Sequence, residues 1–177
     1  MKIKKLAIFP LVLAFFLCGC GTKEDVKKDM ATIDDISTTI TDKMKSNLMN
    51  MGAAVEEDFK NGGLPSYSIM RLNDEGFFLP IEYDKNKLED ALVITHNMNV
   101  KSDMIVVLKA KTDADIPEVE NYAKMIRDEQ YKTWENYLPD QFEKVQQNMT
   151  KTFGRYVVYV TYDEPQVITD EIGNLFK

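Results

Sequence analysis

Ala91-Leu92-Val93-Ile94-Thr95-His96-Asn97-Met98 and Met104-Ile105-Val106-Val107-Leu108-Lys109-Ala110 are two apolar runs set around the polar stretch Asn99 to Asp103. Both are rich in Val, Ile, Leu and Met and short enough to be strands, so they read as a hairpin. Just upstream, Asp84 can cap a short turn through Leu88. Downstream, Asp115 with Glu118 resembles a capping box and Pro117 fits a first helical turn. Val119, Tyr122, Ala123, Ile126, Gln130, Thr133 or Trp134, and Tyr137 then trace one helical face. That helix must end before Pro139, because proline disfavours the helical region for the residue ahead of it.

The same grammar repeats toward the C-terminus. Val145, Met149 and Phe153 alternate with polar residues, Gly154 supplies a turn, and Tyr156 to Tyr162 is a Val/Tyr run bounded by Asp163. Asp163 and Pro165 open a last helix carrying Ile168, Ile172, Leu175 and Phe176. Toward the N-terminus, Ile33, Ile36, Ile40, Met44, Leu48 and Met51 recur in steps of three and four, with Thr32 and Asp35 spaced as a cap. The polar face of this helix mixes acids with lysines, which favours packing on the protein's own sheet over lying on a membrane. Residues 52–83 give no clear period, and Asn73-Asp74-Glu75-Gly76 reads as a solvated turn. The predicted order is α-ββ-α-ββ-α, an α+β two-layer sandwich with an antiparallel sheet of two hairpins and the helices on one face.

The N-terminus carries a different message. Lys2, Lys4 and Lys5 precede an apolar run from Leu6 to Phe16, about half the roughly 20 residues of a spanning helix. This pattern reads as a signal peptide over 1–19. Leu17-Cys18-Gly19-Cys20 resembles the lipobox of bacterial lipoproteins, which implies cleavage between Gly19 and Cys20 and a diacylglyceryl group on Cys20. Two acyl chains give stable membrane attachment where one gives only about 10⁴ M⁻¹. The polar, aperiodic residues after Cys20 read as a tether, so the expected organisation is lipidated Cys20 and tether over 20–30, helix and irregular segment over 31–83, and core domain over 84–177.

Charge and composition limit the function classes. The 177 residues hold 22 basic and 29 acidic side chains, a net of −7, and loss of a leader with three lysines takes this to about −10. Such a surface repels nucleic-acid phosphates and anionic lipid, so no nucleic-acid partner is expected and lipid must supply the membrane attachment. With Cys18 in the leader and Cys20 lipidated, no disulfide or catalytic thiol remains.

Met98-Asn99-Val100-Lys101-Ser102-Asp103, Tyr137-Leu138-Pro139-Asp140-Gln141-Phe142-Glu143-Lys144-Val145 and Gly154-Arg155-Tyr156-Val157 resemble recurring segments of a domain-of-unknown-function family, DUF4358-like, found in small lipoproteins of Gram-positive bacteria. Met104 stands where similar proteins carry an acidic residue. The resemblance implies a fold over about Leu88 to Phe176 and an address on the extracytoplasmic face of the cell membrane. It implies no reaction.

The chemistry narrows by subtraction. His96 is the one histidine, so a zinc site needing two or three imidazoles is excluded, and no serine elbow accompanies it. Gly62-Gly63 lacks the Lys-Ser or Lys-Thr of a phosphate loop, so no cofactor is expected. Asp140, Glu143 and Asp163 are the carboxylates to suspect in an acid-only hydrolase of cell-wall glycan or peptide. Met49 and Met51 read as core filling rather than metal ligands. Trp134, Tyr137, Tyr156, Tyr159 and Tyr162 offer a possible aromatic patch for an envelope protein or a cell-wall polymer. A patterned core without a catalytic constellation points to a non-enzymatic binding or accessory module of the envelope; the hydrolase and a structural spacer are the alternatives.

Overall fold

A computed structural model of the protein describes residues 30–177. Four helices surround one five-stranded antiparallel sheet. The elements run α1 (Ile33–Asn50), β1 (Tyr67–Arg71), β2 (Leu88–His96), β3 (Met104–Ala110), α2 (Ile116–Trp134), α3 (Pro139–Gln146), β4 (Met149–Phe153), β5 (Tyr156–Thr161) and α4 (Pro165–Asn174). The strand order is β1-β2-β3-β5-β4, so the two predicted hairpins are present and join through β3 and β5. Thr32 accepts from the Asp35 N–H at 3.1 Å while the Asp35 carboxylate accepts from Thr32 N–H at 2.8 Å, the expected capping box of α1. Gly154, at φ +55°, makes the β4–β5 turn in a backbone region that a side chain would disfavour.

The α+β class and the antiparallel sheet are as read from the sequence; the layering is not. Alternation along β2, β3 and β5 feeds two separate cores. Leu92, Ile94, Ile105, Val107, Tyr156, Val158 and Val160 face α1 and α4, through Ile36, Ile40, Met44, Ile168 and Ile172. Ala91, Val93, Val106, Leu108, Val157 and Tyr159 face α2, through Val119, Tyr122, Ala123 and Ile126. Helices therefore cover both faces of the sheet, not one, and the central strands read as unbroken apolar runs for that reason. As expected from its mixed polar face, α1 packs on the protein's own sheet, where it completes one core, and β1 pairs with β2.

Three local differences share the theme that tertiary context overrides short signals. β1 forms inside the segment without a period, in register Tyr67↔His96 through Arg71↔Leu92. Val145, expected in a strand, is buried in α3, which starts at Pro139 in its first turn. Asp115 does not cap α2 with its side chain; its carboxylate instead accepts from Thr112 at 2.6 Å and Lys87 at 2.8 Å, and that bond to Lys87 leads in holding it below the usual aspartate range. On β1, the Tyr67 N–H is spent on the Leu64 carbonyl at 3.1 Å, and Arg71 exchanges backbone bonds with Asp74, donating to its carboxylate at 2.7 Å and accepting from its N–H at 2.9 Å.

Candidate functional site

One end of the sheet brings together the start of β1, the end of β2, the start of β3, the end of β5 and the face of α3 that carries Gln141 and Lys144. These two residues lie three apart, so a helix presents them side by side. Asp103, only 7% exposed, stands where the β2–β3 connection enters β3. Its carboxylate accepts from the Tyr67 hydroxyl at 2.6 Å and from Lys144 Nζ at 2.7 Å. Lys144 also reaches Asp163 at 2.7 Å. Beside this, buried Gln141 accepts at Oε1 from the Ser102 N–H at 3.0 Å, with the Ser102 hydroxyl within 3.2 Å of the same oxygen. Burial alone would lower the Lys144 ammonium, but its bonds to Asp103 and Asp163 outweigh that and raise it. Burial, then the bond to Asp103, pushes the Tyr67 hydroxyl far above the ordinary tyrosine range. The Tyr162 hydroxyl is buried beside Asn47 without a well-formed bond to it, and burial raises it too.

These contacts fix the ends of the loop spanning 97–103 on a rigid frame. Ser66, at φ +67°, is held in a left-handed conformation that costs a non-glycine residue about 1 kcal/mol. Its carbonyl accepts from the Asn97 N–H at 2.7 Å. His96 packs edge-on against Tyr67 with ring centroids 4.8 Å apart, and its Nδ1 accepts from the Met98 N–H at 3.0 Å. On this frame Met98 is 55% exposed and Val100 37%, and Tyr137, on the α2–α3 connection, is 52% exposed. The Ser102–Gln141 bonds tie the first connection to the start of α3, close behind Tyr137.

Residues 81–162 match a family described as a domain of unknown function, DUF4358. The matched segment begins ahead of β2 and ends just past β5, so it contains both connections, α3 and the Asp103–Lys144 pair, while α1, β1 and α4 lie outside it. No curated protein and no solved structure matches the chain.

The aromatic patch needs correcting. Tyr156, Tyr159, Tyr162 and Trp134 are all buried, and only Tyr137 is open to solvent. Tyr156 belongs to the α1 side, its hydroxyl donating to the Ala31 carbonyl at 3.0 Å; Tyr159 belongs to the α2 side, its hydroxyl 2.7 Å from that of Thr161. Trp134 Nε1 donates to Gln130 Oε1 at 3.1 Å. Strand alternation does send these tyrosines to opposite faces, but helices cover both. Gly19 and Cys20 lie outside the described residues. Two of the three suspected carboxylates also find ordinary partners: Asp163 shares Lys144 with Asp103, and a bond from the Gln141 amide at 3.0 Å leads in holding Asp140 below the usual range; Glu143 lies on α3 between them in sequence. A general acid needs the opposite shift. Among the described residues no group of three or more His, Cys, Asp or Glu side chains is placed to hold a metal ion.

Sequence reasoning missed Tyr67, Ser102, Asp103, Gln141 and Lys144 as a unit. For all but Tyr67, the usable signal was their place in two of the three segments that carry the family resemblance, together with the helical spacing of Gln141 and Lys144.

At the opposite end of the sheet, a cavity of about 280 Å³ is lined by Thr32, Asp34, Arg71, Glu89, Asp90 and Lys109 among others. Its charges pair with one another. Arg71 bridges Asp34 at 2.6 Å and Asp90 at 2.8 Å, and Lys109 at 2.7 Å and Arg155 both hold Glu89. Burial would raise the Glu89 carboxyl, but the bonds from Lys109 and Arg155 leave it lowered.

Proposed function

We propose that this chain is a non-enzymatic binding module of the cell envelope, held at the extracytoplasmic face of the membrane by a diacylglyceryl group on Cys20. Its contact surface is the end of the sheet that displays Met98, Val100 and Tyr137. The observation that carries the reading is the pairing of large exposed apolar side chains with a frame fixed by buried bonds. A surface whose backbone is already ordered loses less conformational freedom on association, so more of the contact energy appears as affinity. Loops carried on a rigid scaffold are also where binding residues concentrate. The apolar character of the three side chains fits an envelope protein better than a cell-wall polymer. For attachment, the support is the leader and lipobox pattern around Cys20; no helix among the described residues is long and apolar enough to cross a membrane.

The test compares the natural lipoprotein with a Met98→Ser, Val100→Ser, Tyr137→Ser variant in crosslinking and pull-down from the protein's own envelope. A partner captured by the former and lost by the latter, with both equally stable to urea, is the expected result. Identical capture profiles, or none from either, overturn the reading. Mass spectrometry of the N-terminal fragment settles attachment: a peptide beginning at Cys20 and carrying diacylglycerol is expected, and one still carrying the leader or lacking lipid refutes it.

A further inference from the structure

We propose that His96 is a proton-operated latch, which holds Met98 and Val100 in place while the imidazole is neutral and frees residues 98–101 when it is protonated. The inference rests on the reading of this loop as the contact surface and adds a control to it. The geometry is specific. A neutral imidazole has one acceptor nitrogen, and here that nitrogen is Nδ1, committed to the Met98 N–H at 3.0 Å. The ring proton therefore sits on Nε2. Protonation puts a second N–H on Nδ1, pointing at the amide hydrogen it had accepted, and the bond is replaced by a repulsion.

The ring has little freedom to turn away from that conflict. It packs edge-on against Tyr67, whose own hydroxyl is fixed on Asp103. Release stays local because both ends of the loop are held independently: the Asn97 N–H on the Ser66 carbonyl, the Asn97 side chain by the Ser68 hydroxyl at 2.6 Å, and Ser102 on Gln141. Between them, the turn closed by the Lys101 N–H on the Met98 carbonyl at 3.1 Å moves as a piece.

The groups facing His96 set the direction. Burial disfavours the imidazolium most strongly; Asp103, at the start of β3, favours it; Lys101 in the loop and Lys144 on α3 oppose it; and Tyr67 on β1 is uncharged. The balance lies below the ordinary histidine value of 6.5. The latch is thus closed at neutral pH. Because the folded-state value is depressed, the stability that the neutral ring contributes is complete above 6.5 and is lost as pH falls from there through the folded-state value.

The experiment uses the full lipidated chain in detergent micelles, with ¹⁵N-labelled histidine and methionine, followed by NMR between about pH 8 and about pH 5, the span in which histidine switches charge. At the alkaline end the ring should show the tautomer with its proton on Nε2. As His96 titrates, the protection of the Met98 amide against exchange, corrected for the intrinsic effect of pH, should fall about tenfold, the equivalent of one net hydrogen bond. In His96→Phe, which keeps a ring against Tyr67 but has no acceptor, Met98 should be unprotected at every pH. A wild-type Met98 amide whose protection ignores the His96 titration, or a proton found on Nδ1, overturns the latch, and these wild-type readings decide the matter even where the variant fails to fold. No partner is present in this measurement, so it fails or succeeds apart from the capture experiment that tests the binding reading.

Discussion

Asp103 and Lys144, with side chains 6% and 14% exposed, meet at one end of the sheet, whereas at the other end similarly covered cations, Lys109 and Arg155, hold a carboxylate that stays open to water, Glu89 at 43%, and Arg71 holds Asp34 at 82%. The two ends carry similar charges and do different work. A buried ion pair takes its value from geometry: both partners have given up water, so losing one strands the other. An exposed pair is screened and contributes little. The Asp103 end fixes loops, while the Glu89 end dresses a surface cavity.

That contrast can be broken by mutation. Lys144→Ala leaves Asp103 buried with only the Tyr67 hydroxyl to answer it, and urea unfolding should report a loss of about 3 kcal/mol, the low side of the range for breaking a buried pair. Gln141→Ala removes the acceptor for the Ser102 N–H and should cost about 1–3 kcal/mol, with hydrogen exchange quickened at Ser102 in particular. At the other end, Arg71→Ala deletes an exposed pair with Asp34 and a half-buried one with Asp90, and should cost less than Lys144→Ala, about 1–2 kcal/mol by the same measurement. The smallest effect sharpens the comparison with no mutation at all. Raising salt to about 1 M contracts the screening length to about 3 Å, which should reduce the cost of Arg71→Ala by the share of its exposed Asp34 pair and leave that of Lys144→Ala nearly intact. Acid should weaken the Glu89 end: since the Glu89 carboxyl is held low, the stability it contributes is present above its ordinary value of 4.5 and is lost as pH falls through the folded-state value. A Glu89→Gln variant should show a flatter acid limb in the same urea series.

Much of the framework was legible because it rests on local periodicity. The stripe Ile33, Ile36, Ile40, Met44 and Leu48 and the face Val119, Tyr122, Ala123, Ile126, Gln130 and Trp134 are buried as their spacing requires. Met51 is 60% exposed because the helix has ended before it. The hairpins around residues 99–103 and Gly154 followed from apolar runs and turn residues. What escaped depends on partners distant in the chain. Tyr67-Ser68-Ile69-Met70-Arg71 has no period of its own and becomes a strand only because β2 offers it an edge. The layering was available in principle: a run such as Tyr156-Val157-Val158-Tyr159-Val160, apolar at every position, signals a strand covered on both sides, which fits neither a one-faced sheet nor an exposed aromatic patch. The pairing within the polar network could not be read from local spacing, because Asp103 meets Lys144 across 41 residues and Tyr67 across 36.

The commitments made by β1 matter to neighbours as well as to the fold. Of the N–H groups on this edge that point away from β2, those of Tyr67 and Arg71 are already spent within the chain, leaving Ile69 between them. An incoming strand would find one amide to pair with instead of a row. Copies crowded together on a surface would therefore slide past one another along this edge without knitting into a continuous ribbon.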